Sequence, residues 1–294
     1  MGNMKSSYID KIKTSFPIEN RYKNYGMYAS SDIKFTNIGI ERVKSIIIYY
    51  PNEMIIFPGK KYPLVIMVNG TGVEYQKYEP TLKHLSSWGF IVAGNDDPST
   101  ALGDSTVKTL EYILKLNNSN GSIFYNKIDI EKIGLSGHSQ GGSGVFSAIT
   151  KHGDLSKYFK CAFASSTTTK SLIEKFKLEP FKYEPELVNI PIMMVMSNGK
   201  IDQGICPYDE SKNNYDKIGE KIKKVFGVRK NVDHGDMLVA HDPYMTAWFC
   251  FILLNDLEAG KAFCGKDAEI LRNDNWEKCE TKNLWNNKYL YLYF

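Results

Sequence analysis

The stretch that most constrains this chain is residues 133–142, which read Ile-Gly-Leu-Ser-Gly-His-Ser-Gln-Gly-Gly. A short apolar run enters Gly-x-Ser-x-Gly, and small residues follow at Ser143, Gly144 and Ala148. Strand, sharp turn and helix in that order hold a serine in a strained backbone conformation above a parallel sheet. Gly137 and Gly141 then stand where a Cβ would strike the neighbouring helix or strand. The turn would expose Ser139 Oγ at a helix N-terminus, with the Gln140 amide facing any developing oxyanion. A glycine-rich turn in an ordinary α/β domain is the bland alternative, and the strand before and helix after weigh against it.

The rest of the chain supplies the sheet such a turn needs. Val43 to Tyr50 is β-branched and aromatic and stops at Pro51, which reads as a strand. Leu64 to Val68 is continuously apolar, as expected of a strand covered on both faces. Leu82, Leu85 and Trp88 mark one helix face, and Phe90 to Ala93 the next strand. Val107, Leu110, Ile113 and Leu114 mark a second helix, and Ile130 to Leu135 leads into the turn. Cys161 to Ala164 and Ile190 to Met196 read as further strands. Asp209 to Phe226 reads as a lysine-rich helix closed by Gly227, Val228 to Val232 as a weak last strand, and Pro243 to Leu257 as an apolar helix. Strands alternating with helices predict an α/β protein with a mostly parallel central sheet and helices on both faces. Residues 1–28 are expected to be an extension packed on one domain spanning 29–294. The spare residues between Ser139 and any later acid, Leu178 to Val188, are too few for a large cap domain.

A serine at neutral pH needs a base within hydrogen-bond reach and a third group to orient that base. In the α/β-hydrolase fold the partners follow in the order serine, acid, histidine, on loops at the C-terminal ends of strands. His84, His138 and His152 come too early. His234, between the last strand and the final helix, is the first choice, and His241, beside Asp242-Pro243, the second. Asp202 is the first carboxylate after Ile190 to Met196, with Asp209 next. Asn69-Gly70-Thr71-Gly72 follows the strand Leu64 to Val68, and the Thr71 amide is the expected second oxyanion donor beside Gln140. Gly72, Tyr75 and His138 are expected to contact substrate.

Composition narrows the partners. With 294 residues, 43% hydrophobic and 24% charged, the chain can bury a sizeable core. A net charge of +4, with lysines dispersed among acidic residues, does not suggest nucleic acid. No run approaches the roughly 18 apolar residues that span a membrane. His234-Gly235-Asp236 is too sparse to bind a metal, and no cofactor is expected. Cys161, Cys206 and Cys250 lie in apolar surroundings and read as core residues.

At the level of family, the chain resembles the cutinase-like polyester hydrolases, with lipases and platelet-activating-factor acetylhydrolases nearby. The likeness runs from Tyr22 to Cys279. It rests on NGTG followed by LKHLSSWGFIVAGND, on GHSQGG, on the acid loop ending in Asp202, and on VDHGD followed by YMTAWFCFILLND. It implies a serine carboxylic-ester hydrolase with Ser139, Asp202 and His234 as triad and Thr71 and Gln140 as oxyanion donors, acting on small-molecule or polymeric esters; a monomer is expected. It also implies a C-terminal disulfide between Cys264 and Cys279, closing a loop of about 15 residues worth roughly 3 kcal/mol. With the disulfide goes secretion, since these relatives are typically secreted; free thiols would instead suit the cytoplasm. Three positions depart from the pattern. Thr71 stands where the polyester-degrading members usually have an aromatic residue, Ser165 to Thr169 where they tend to have a tryptophan, and Gln140 where they have methionine. Tyr75 or Tyr78 is then the candidate aromatic contact for substrate.

Overall fold

The computed structural model describes residues 9–284. Among these described residues nine strands form one sheet: β1 (Ser30–Ile40), β2 (Val43–Pro51), β3 (Tyr62–Val68), β4 (Ile91–Asn95), β5 (Ile128–His138), β6 (Phe159–Ser165), β7 (Ile192–Ser197), β8 (Lys224–Arg229) and β9 (Trp276–Lys282). Their spatial order is β1-β2-β4-β3-β5-β6-β7-β8-β9. Strands β3 to β8 run parallel, while β1, β2 and β9 join antiparallel at the two edges. This is the mostly parallel sheet of an α/β-hydrolase.

Side-chain alternation along the strands fills two separate cores. Ile46, Ile48, Leu64 and Ile66 face helices Asp104–Asn118 and Gln140–Thr150, through Val107, Leu110, Val145 and Phe146. Ile47, Tyr49, Val65 and Met67 face helices Glu79–Ser87 and Asp242–Leu254, through Leu82, Leu85, Trp248 and Phe249. Because β4 lies on one side of β3 and β5 on the other, the chain reverses its winding direction there. A crevice opens at the C-terminal ends of the strands at such a point. Val68 pairs with Gly137 at that end, so the loop after β3 and the turn after β5 meet.

Between β6 and β7 there is one short helix, Lys170–Lys175, and two single turns, so this connection supplies no cap domain over the crevice. No single helix among the described residues is long and apolar enough to cross a membrane.

The helix expected over Asp209 to Phe226 ends at Lys217, and the last parallel strand begins at Lys224. Lys224 is buried, and its ammonium donates to the carbonyls of Tyr215 (3.0 Å) and Ile218 (2.6 Å). A cation satisfying the last carbonyls of a helix stops it there. Gly227 lies within the strand, facing the Trp276 ring.

The C-terminal segment is held without a covalent tie. Cys264 and Cys279 are both free thiols, which corrects the expected disulfide. Strand β9 docks on β8 instead, with Val225 opposite Thr281. Both sulfurs are partly buried against the apolar layer, and burial pushes Cys264 up to about 11 and Cys279 up to about 12. The expectation of secretion thereby loses its covalent support.

Candidate active site

The elbow is built as its glycines require. A Cβ on Gly137 would overlap the carbonyl of Gly141, and one on Gly141 would overlap that of Val68. This close passage of strand, turn and helix leaves Ser139 at φ 60°, ψ −127°. Such a conformation is costly for a residue with a side chain and persists only where its surroundings impose it. The Ser139 N–H is anchored to the Ser165 carbonyl of β6 at 2.9 Å. The Gln140 N–H, first in the elbow helix, has no intrahelical acceptor. Its side chain is engaged elsewhere, with Oε1 accepting from the Thr100 amide at 2.9 Å.

The loop after β3 supplies the facing wall. Gly70 packs against the elbow, where an added Cβ would lie 3.5 Å from Ser139 Cβ. The Gly70 amide donates to Tyr78 Oη (2.7 Å) and the Gly72 amide to the Pro98 carbonyl (2.9 Å). Both are therefore occupied, while the Thr71 amide between them has no partner among the described residues. Thr71 and Gly72 are exposed, and Gly72 adopts φ 66°.

Asp202 and His234 meet across the ends of β7 and β8. His234 Nδ1 lies 2.6 Å from Asp202 Oδ1. The carboxylate is fully buried, and its second oxygen accepts the Ser197 amide at 2.5 Å. Burial pushes the Asp202 carboxyl up, but the bonds from His234 and Ser197 outweigh it and leave it below the usual carboxylate range. It is thus an anion at neutral pH. The alternatives lie apart: Asp209 is exposed on the following helix, and His241 is buried with Nδ1 2.8 Å from Ser165 Oγ.

Two expected substrate contacts are corrected. His138 is buried, with Nε2 2.9 Å from the His234 carbonyl and its ring centroid 4.5 Å from that of His234. Burial, helped by nearby His234, pushes this imidazole down to about 3, so it is neutral and its N–H donates to that carbonyl. It ties the elbow to the histidine loop. Tyr75 is buried in the sheet's second core, with its Cβ against Gly94. Tyr78 is buried too, and serves Gly70 rather than offering a ring face to substrate.

Sequence reasoning missed Asp233. Its carboxylate accepts the amides of Asp202 (2.9 Å) and His234 (2.8 Å) on Oδ1 and that of Ile201 (3.2 Å) on Oδ2. These amides hold Asp233 below the usual carboxylate range. Nothing in the linear pattern marks it, because its partners lie 31 and 32 residues upstream as well as next door. Among the described residues no group of His, Cys, Asp and Glu converges as a metal ion would require.

No curated protein matches the chain significantly. The family model for chlorophyllases matches residues 23–256, which takes in the elbow, the acid and the histidine. That family comprises serine ester hydrolases of the α/β-hydrolase type, which supports the superfamily expected from the sequence and gives no support to its cutinase branch. With the match covering most of the chain, this protein belongs to the chlorophyllase family and is a serine ester hydrolase of the α/β-hydrolase fold.

Proposed function

We propose that the protein hydrolyses carboxylic esters through an acyl-enzyme on Ser139, with His234 as general base and Asp202 as its orienting partner. The observation that carries this reading is the 2.6 Å contact between His234 Nδ1 and buried, ionised Asp202, on a loop tied through the His234 carbonyl to His138, the residue before a serine held at φ 60°. Ser139 Oγ attacks the ester carbonyl carbon as its proton passes to His234 Nε2. The carbonyl oxygen becomes an oxyanion, received by the amides of Thr71 and Gln140, each worth about 10²–10³ in rate. Collapse breaks the C–O bond, and the imidazolium gives its proton to the departing alkoxide. Water activated by His234 then attacks the acyl carbonyl and releases the acid, regenerating Ser139. Asp202 keeps His234 in the tautomer with the proton on Nδ1 and stabilises the imidazolium.

The substrate reading is an open site for short-chain soluble esters, with slow attack on aliphatic polyesters. The short β6–β7 connection, exposed Thr71 and Gly72, and Ile201 beside the acid at 62% exposed support it. The family's name adds chlorophyll to the esters worth assaying. A chain-length series of p-nitrophenyl esters, with matching thioesters and anilides, tests the reading on wild type and Ser139→Ala. Fastest turnover on short esters, without a jump at the micellar threshold, is expected. Ser139→Ala should lose at least about 10⁴-fold. Preference for thioesters or anilides, or a sharp interfacial rise, would overturn the substrate assignment.

A further inference from the structure

The acid and the base sit on two different loops, and a positioned pair must be held to within a fraction of an ångström to work. Among the described residues, the side chain that bonds the backbone of both is Asp233. One oxygen takes the amides of Asp202 and His234 together, and the other takes Ile201, the residue before the acid. Capping the turn His234–Asp236 would explain the bond to His234 alone. It would not explain two bonds to the start of the helix Lys200–Ile205. The acid loop is shaped to receive this carboxylate. A Cβ on Gly199 would lie 2.5 Å from Asp233 Cγ and Oδ1 and from the Val232 carbonyl oxygen, so only glycine permits this approach of the two loops. Other ties between the loops, such as Asn231 N–H to Asn198 Oδ1 at 3.0 Å, engage neither the acid nor the base.

We infer that Asp233 is a positioning residue that clamps the acid loop to the histidine loop and thereby sets the Asp202–His234 contact. It touches no reacting atom and acts through those two residues. The inference rests on the ester-hydrolase reading for its kinetic consequence, but the contact it sets is observable without turnover.

The test compares Asp233→Ala, Asp233→Asn and Gly199→Ala with wild type in the full chain. Three quantities are read: kcat and KM on a short p-nitrophenyl ester, the rate of Ser139 labelling by a fluorophosphonate across pH, and the downfield proton resonance of His234 Nδ1–H. Asp233→Ala should lower kcat and the labelling rate about 10- to 100-fold, with KM within about twofold, and should shift or broaden the resonance. Asn keeps an oxygen for the Asp202 and His234 amides, so Asp233→Asn should recover most of the loss. Gly199→Ala, which forces both the carboxylate and the Val232 carbonyl away from the acid loop, should resemble Asp233→Ala, and wild-type values in it overturn the inference even where Asp233→Ala fails to fold. Wild-type kcat and resonance in Asp233→Ala or Gly199→Ala would overturn the inference, as would a loss confined to KM or an Asn variant as impaired as Ala. Wild type left unlabelled at Ser139 would instead sink the esterase reading, with the resonance still reporting on the clamp.

Discussion

Tyr78 braces the loop that carries the proposed oxyanion donor. Its Oη accepts the Gly70 amide at 2.7 Å, directly before the Thr71 amide assigned to the oxyanion, and burial pushes the phenol up to about 12. Tyr78→Phe would leave the Gly70 N–H buried without an acceptor, at a cost of about 1–3 kcal/mol. The loop would relieve that cost by moving, taking Thr71 with it. The expected outcome is a roughly 10-fold fall in kcat with KM nearly unchanged, smaller than the loss of a donor itself. Steady-state kinetics beside a thermal melt check it; a normal kcat in a folded variant would remove Tyr78 from the oxyanion loop. At this scale Ser139, Asp202 and His234 could be singled out as the proposed triad because each follows a recognisable strand. Tyr78, Asp233 and His138 were not, since their roles lie in side-chain bonds to backbone brought near only by folding. His138 looked like a substrate contact because it neighbours the nucleophile, yet strand alternation turns it inward to the His234 carbonyl.

Among the elements, helix Asp242–Leu254 is fastened at its N-terminus by a buried ion pair. His84 Nδ1 lies 2.5 Å from Asp242 Oδ2, and its Nε2 donates to the Asn24 carbonyl at 2.8 Å. Burial alone would push His84 down, but Asp242 and the Asn24 carbonyl outweigh it and leave the imidazole raised. A raised folded-state value above an unfolded value near 6.5 stabilises the fold fully below about pH 6.5. The contribution disappears as pH climbs through the folded value. Thermal melts from pH 5 to 9 should therefore show Tm declining on the alkaline side, and His84→Gln should flatten that slope. An unchanged slope in the variant would show that the pair does not titrate in this range.

The parallel strands were readable from their apolar runs, but the edge strands were harder. Strand β1 shows only a one-faced alternation, with Ile33 and Phe35 half-buried. Strand β9, Trp-Glu-Lys-Cys-Glu-Thr-Lys, carries almost no apolar signal, and among the described residues only one edge of it is paired.

Across the whole molecule, the two ends of the described chain are joined through one buried acidic centre. Glu19 is fully buried and accepts from Arg229 (3.2 Å), Asn273 (2.8 Å) and the Trp276 indole (3.0 Å). Beside it, Glu269 accepts the amides of Ile18 (2.6 Å) and Glu19 (2.7 Å) at the start of helix Pro17–Tyr22. These bonds tie the N-terminal helix, β8 and β9 into one body. Removing one partner of a buried pair strands the other charge, so Glu19→Ala should cost about 3–5 kcal/mol. Urea denaturation measures this, and hydrogen exchange should quicken first in β9. A loss below about 1 kcal/mol would mean that Arg229 finds another partner or water.

The fold and the order of its proposed catalytic residues could be reached from the elbow outward, while these long-range polar ties could not. What organises the molecule chemically is Ser139, and it can be tested directly. After treatment with a fluorophosphonate, digestion and peptide mass mapping should place a single phosphonyl group on Ser139, absent from Ser139→Ala and slowed by Asp202→Ala and His234→Ala. An adduct on another residue, or none under conditions where ester turnover proceeds, would contradict a serine acyl-enzyme at this elbow.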